Sequence, residues 1–70
     1  MTTHCQILLN GDTQTVPQNT SVSDLLNRLS LANKRVAVEI NGDIVPRSQH
    51  ATHQIADGDN IEVVVAVGGG

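Results

Sequence analysis

Seventy residues, 39% of them hydrophobic and 16% charged, describe one small globular domain, too short to divide and too apolar to stay disordered. Four Lys and Arg against seven Asp and Glu leave a net charge of −3, and there is no Phe, Tyr or Trp, which disfavours a nucleic-acid interface built on phosphate neutralisation and base stacking. No apolar run approaches the roughly 20 residues of a membrane span, the first residues do not read as a signal peptide, and a lone cysteine makes no internal disulfide; the expectation is a cytoplasmic domain, monomeric when free.

Thr3 to Asn10 reads as a first strand, with Cys5, Ile7 and Leu9 alternating against His4, Gln6 and Leu8. Asn10-Gly11 is the dipeptide favoured by type I′ hairpin turns, so Thr13 to Val16 is the returning strand, closed by Pro17. Ser21 to about Leu31 carries the helical pattern: Val22, Leu25, Leu26 and Leu29 make one apolar stripe. Ser21 and Asp24 form a capping box, Asp24 also favours the helix dipole, and Asn33 is the expected left-handed stop, followed by Lys34-Arg35. Val36, Val38 and Ile40 alternate in a third strand, Asn41-Gly42 signals a second hairpin, and Ile44-Val45 is a brief strand ended by Pro46. Residues 47–56 lack periodicity and read as a loop with a helical turn around Ser48-Gln49-His50. Asp57-Gly58-Asp59-Asn60 is a turn cluster, and Ile61 to Val67 is the last strand.

The order is therefore β-β-α-β-β-β, an α+β domain over residues 1–67 with a flexible glycine tail at 68–70. Its core must come from nine Val, five Ile and six Leu, each contributing roughly 1.5–3 kcal/mol when fully buried. The last strand is apolar on both faces, which places it in the middle of the sheet. One helix covers only one face, so Val64 and Ala66 are expected on the open face as a docking patch for a partner.

Internal catalysis finds no support. Cys5 and His4 are adjacent on a strand and point to opposite faces, so Cys5 reads as a small buried hydrophobe. His50 and His53 lack the further ligands that a zinc site needs. No phosphate loop, Ser-His-Asp set or paired-acid constellation is present. What remains is Gly68-Gly69-Gly70, a slim ending without side chains that can thread a narrow channel and present a carboxylate.

Several segments are similar, in order and spacing, to the thiamine-pathway sulfur carriers, the ThiS family. They are Gln6-Ile7-Leu8-Leu9-Asn10-Gly11, the helix Val22 to Leu29, Asn41-Gly42-Asp43-Ile44-Val45-Pro46-Arg47, Asp57-Gly58-Asp59, and the Val-rich strand running into the glycines. The resemblance spans nearly the whole chain. It implies a ubiquitin-like β-grasp fold, with the first and last strands as parallel central neighbours and the helix across one face. It also implies that the carboxylate of Gly70 is adenylated by an E1-like adenylating enzyme using ATP, then converted to a thiocarboxylate with sulfur from a donor protein. Thiazole synthase then draws sulfur from it. Gly68 and Gly69 would enter the partners' active sites with Gly70, and Arg47 would join Val64 and Ala66 in docking. The chain itself would bind no cofactor or metal and would be a carrier, not an enzyme.

Two features depart from the family pattern: three glycines stand where two suffice, and His50 follows Ser48-Gln49 where an aromatic residue is frequent. The small subunit of molybdopterin synthase shares the fold, tail and chemistry, but that family runs longer and carries aromatics. Outside the carriers, the same fold without covalent chemistry would serve as a protein-binding module through its open sheet face.

Overall fold

The computed structural model describes residues 3–66; the expected strand end at Val67 and the tail Gly68 to Gly70 lie outside the described residues. The elements are β1 (His4–Leu9), β2 (Asp12–Pro17), α1 (Val22–Arg28), β3 (Val36–Ile40), β4 (Asp43–Val45), a short 3-10 turn (Arg47–Gln49) and β5 (Asn60–Val65). They form a sheet of order β2-β1-β5-β3-β4. β1 and β5 are parallel and the other neighbours antiparallel, which is the mixed β-grasp arrangement that the family resemblance implies.

Both hairpins are built as their Asn-Gly dipeptides require. Asn10 and Gly11 have φ of 50° and 88°, Asn41 and Gly42 of 52° and 89°. Positive φ at both central residues matches the turn's twist to that of the strands. Along β1 burial alternates strictly, with Cys5, Ile7 and Leu9 inside. These residues meet Val22, Leu25 and Leu26 of the helix, Val38 and Ile40 of β3, and Ile61 and Val63 of β5 in one aliphatic core.

The helix N-terminus leaves none of its first four N–H groups unpaired. The Val22 and Ser23 N–H groups donate to the carbonyls of His53 and His50, at 3.0 and 2.9 Å. The Asp24 N–H donates to the Ser21 hydroxyl at 3.0 Å, and the Leu25 N–H to the Ser21 carbonyl at 3.0 Å. The Asp24 carboxylate accepts in return from the Ser21 N–H at 3.2 Å, completing the expected capping box. Two of those acceptors lie in the 47–56 segment, so a stretch without sequence periodicity is pinned in place by the helix.

The other end corrects the sequence reading. The helix stops at Arg28, not near Leu31, and the left-handed residue is Ser30 with φ of 61°, not Asn33. The Leu31 N–H donates to the Leu26 carbonyl at 2.8 Å and the Ser30 N–H to the Asn27 carbonyl at 3.1 Å. That pair of bonds is a Schellman motif, here built on serine where glycine is usual. Leu31 folds back against the core and so rewards the early stop. A helix of seven residues is about 10 Å long. It does not cover the end of β5, and Val65 stays 40% exposed although it shares a face with the buried Ile61 and Val63.

Leu26 is 6% exposed, inside the stripe that packs on the sheet. Leu26→Ala is expected to destabilise the domain by about 2–5 kcal/mol, read as a drop in the urea midpoint. An unchanged midpoint would contradict the helix orientation.

Candidate functional site

The sequence reading points to the C-terminal end of β5, and the geometry there is set by how that strand is held. The strand is flanked on both sides over most of its length, but by different means. On the β3 side the ladder runs from Ile40 opposite Ile61 to Val36 opposite Val65. It is extended once more by the Ala66 N–H donating to the Arg35 carbonyl at 2.9 Å. On the β1 side the parallel ladder covers only Leu8–Asn60 and Leu9–Ile61 before β1 turns away at Gly11.

Asn10 fills the gap. Its N–H donates to the Ile61 carbonyl at 2.9 Å. Its side-chain Oδ1 accepts from the Val63 N–H at 2.8 Å, and its Nδ2 donates to the Val63 carbonyl at 3.2 Å. A side-chain amide thus gives the Val63 N–H and carbonyl the two partners that the backbone of a longer β1 would have supplied. The start of β5 is anchored with equal care. The Asp57 carboxylate accepts from the Gln6 N–H at 2.7 Å, the Gly58 N–H donates to the Gln6 carbonyl at 2.8 Å, and the Leu8 N–H donates to the Asp59 carbonyl at 2.9 Å. Asn41 braces the same region through its Oδ1, which accepts from the Asn60 N–H at 2.9 Å, and its Nδ2, which donates to Asp59 at 3.0 Å. The sequence reading assigned Asn10, Asn41, Asp57 and Asp59 to turns; their work as strand anchors has no signature in local sequence, because their partners lie across the fold.

The residues expected to dock a partner do not gather on one face. Val64 lies on the face away from the helix, opposite Ala37, and is 61% exposed. Ala66 is exposed just past the strand. The same open face presents Leu8 and Ile44, 43% and 63% exposed, and between them Glu39 and Glu62, directly opposite each other in register. Like charges so placed repel, and a cation from outside would relieve them. Arg47, by contrast, begins the 3-10 turn and lines a cavity on the helix side of the sheet with Lys34, Arg35 and Val36.

Nothing catalytic assembles among the described residues. Cys5 is 5% exposed in the core. His50, at the position where the sequence left aromatic packing in doubt, is 7% exposed, and its Nε2 lies 3.0 Å from the Val45 carbonyl, a bond in which the ring nitrogen donates. His53 is half-buried, and no group of three or more His, Cys, Asp or Glu side chains able to hold a metal occurs among the described residues. No helix among them is long and apolar enough to cross a membrane.

Comparison with known proteins gives a consistent picture. The model that describes the ThiS family matches residues 6–70. The sulfur carrier protein ThiS of Escherichia coli (strain K12) is 37% identical over 65 residues, which cover 93% of this chain and 98% of that protein. A thiazole synthase of Paramagnetospirillum magneticum is also 37% identical over 65 residues; the chain spans only 20% of its length. The crystal structure of the thiamine biosynthesis protein ThiS from Geobacter metallireducens superposes with a TM-score of 0.78 at 32% identity, covering 93% of this chain and 99% of that one.

Asn10→Gly keeps the positive φ of the turn and removes both side-chain bonds to Val63. The expected outcome is a stability loss of about 1–3 kcal/mol and faster amide exchange at Val63 than at Ile61, measured by hydrogen–deuterium NMR. Equal protection at the two amides would show that the Asn10 side chain does not hold the strand.

Proposed function

The chain belongs to the ThiS family, and from that membership we propose how it carries sulfur in thiamine biosynthesis. The carboxylate of Gly70 attacks the α-phosphorus of ATP in the site of an adenylating enzyme, pyrophosphate leaves, and an acyl-adenylate forms. Hydrosulfide, released from a donor protein and already at the oxidation level of sulfide, then attacks the acyl carbon. The carbon–sulfur bond forms, the carbon–oxygen bond to AMP breaks, and a thiocarboxylate remains on Gly70. Thiazole synthase takes its sulfur from there.

The observation that carries this reading is the family match through to Gly70 itself, at the end of a domain whose described residues assemble no catalytic constellation. A free carboxylate is a poor electrophile, and adenylation gives it a leaving group. The enzymes supply the chemistry and this chain supplies the handle. Gly68, Gly69 and Gly70 bring no side chain into the channel, so the same ending fits two different active sites in turn. Association itself costs translational and rotational freedom, which contacts of the folded domain must offset. Val64 and Ala66 beside the tail, with the facing Glu39 and Glu62, are the contacts we assign to the adenylating enzyme. The chain is a carrier and co-substrate of these enzymes, not a catalyst.

The direct test is intact-mass analysis after incubation with the adenylating enzyme, ATP and a sulfur source. An oxygen-for-sulfur exchange located on Gly70 is the expected result. A chain extended by one residue beyond Gly70 has an amide in place of that carboxylate, and deletion of Gly70 sets the new terminus back by about 3.3–3.6 Å. That is far outside the placement such a reaction tolerates, so both variants should lose the modification while keeping their unfolding midpoint. Untrimmed extended protein that still delivers sulfur to the thiazole would overturn the reading.

Val64→Asp puts an unpaired charge into the assigned contact. It should slow adenylation severalfold without unfolding the domain, as read by pyrophosphate release. A normal rate would remove the open face from the docking assignment.

A further inference from the structure

Three of the four Lys and Arg in the chain line a single cavity. Lys34, Arg35 and Arg47 surround a space of about 480 Å³ on the helix side of the sheet, with Ala32 and Val36 as its apolar walls and no acidic residue in its lining. In a chain of net charge −3, solubility does not explain this concentration of positive charge. The fold does not require it either, since all three side chains are exposed. The positions are held firmly. The Lys34 N–H closes a turn on the Leu31 carbonyl at 3.0 Å, and Arg47 opens the 3-10 turn whose carbonyl receives the His50 N–H at 3.1 Å.

The cavity also adjoins the end of β5. Val36, one of its walls, sits opposite Val65, and the Arg35 carbonyl accepts the Ala66 N–H at 2.9 Å. A protein that seats the chain beyond Ala66 therefore brings its own surface within reach of these cations. An inorganic anion would satisfy the charges but leave Ala32 and Val36 unused. A peptide segment with an acidic side chain next to an aliphatic one would use both.

We propose that this cavity is a second docking site, taking such an acidic and aliphatic segment from a protein that receives the tail. The inference rests on the carrier reading above and places part of the recognition on the helix side, away from Val64. Its electrostatic part steers encounter and weakens with salt.

The test is titration calorimetry of the wild-type chain and of the Lys34→Glu/Arg47→Glu variant against thiazole synthase and against the adenylating enzyme, at low and high salt. We expect roughly tenfold or greater weakening toward at least one of the two at low salt, shrinking as salt rises. Matching urea midpoints of variant and wild type establish that the fold is intact. Were the reversed pair to unfold the chain, Lys34→Gln/Arg47→Gln should give a smaller loss in the same direction. Affinities toward both enzymes within about twofold of wild type overturn the proposal. So does inorganic pyrophosphate, used as a probe, if it saturates the amides of Lys34, Arg35 and Arg47 in an NMR titration without displacing either enzyme; the cavity is then a small-anion site. Formation of the Gly70 thiocarboxylate on the wild-type chain is measured alongside. If it fails, the carrier reading is at fault; if it succeeds while the variant binds normally, only the cavity assignment falls.

Discussion

The structure depends on holding β5 in the middle of a sheet that is too small to surround it by ordinary ladder pairing. β3 follows β5 along its whole length, but β1 turns back after Leu9. An unpaired backbone at Val63 would sit in partly buried surroundings, where a lost hydrogen bond costs about 1–3 kcal/mol. The Asn10 amide supplies both missing bonds. The same residue provides the positive φ that its own hairpin turn demands. One side chain thus solves the turn and the strand together.

Around that strand the two sides of the sheet carry opposite character. The open face pairs exposed aliphatics, Leu8, Ile44 and Val64, with the facing acids Glu39 and Glu62. The helix side gathers Lys34, Arg35 and Arg47 at one cavity. Val64 on the open face and Arg35 on the other side stand nearest the end of β5. Partners that approach the same tail from different sides would meet different charge, and wrong approaches are suppressed by like-charge repulsion.

Most of the fold was legible in the sequence because local chemistry and global need agree there. The Asn-Gly turns, the capping box of Ser21 and Asp24, the apolar stripe of the helix and the two-sided apolar character of β5 all point to one topology. The helix C-terminus was not legible. Serine has no strong left-handed preference, and the stop at Ser30 is set by Leu31 folding onto the core, a tertiary effect. The 47–56 segment was opaque for the same reason, since its order comes from carbonyls that cap a helix distant in sequence. Of the candidate site, the position of Val64 on the open face followed from strand alternation. The face on which Arg47 falls depends on how a loop crosses the sheet, and no periodicity records that.

On the proposed reading, an activated carboxyl on Gly70 must also not react with its own domain. The one thiol of the chain is Cys5, near the start of β1, whereas the tail leaves from the far end of the parallel neighbour β5. Cys5 lies three residues before Leu8, Leu8 is level with Asn60, and Val65 is five residues further on. At about 3.3 Å per residue along parallel strands, that is a separation of roughly 26 Å. Cys5 is in addition buried at 5% exposure. Distance and burial together set this thiol apart from the end of β5, so on the proposed reading the sulfur comes from a partner.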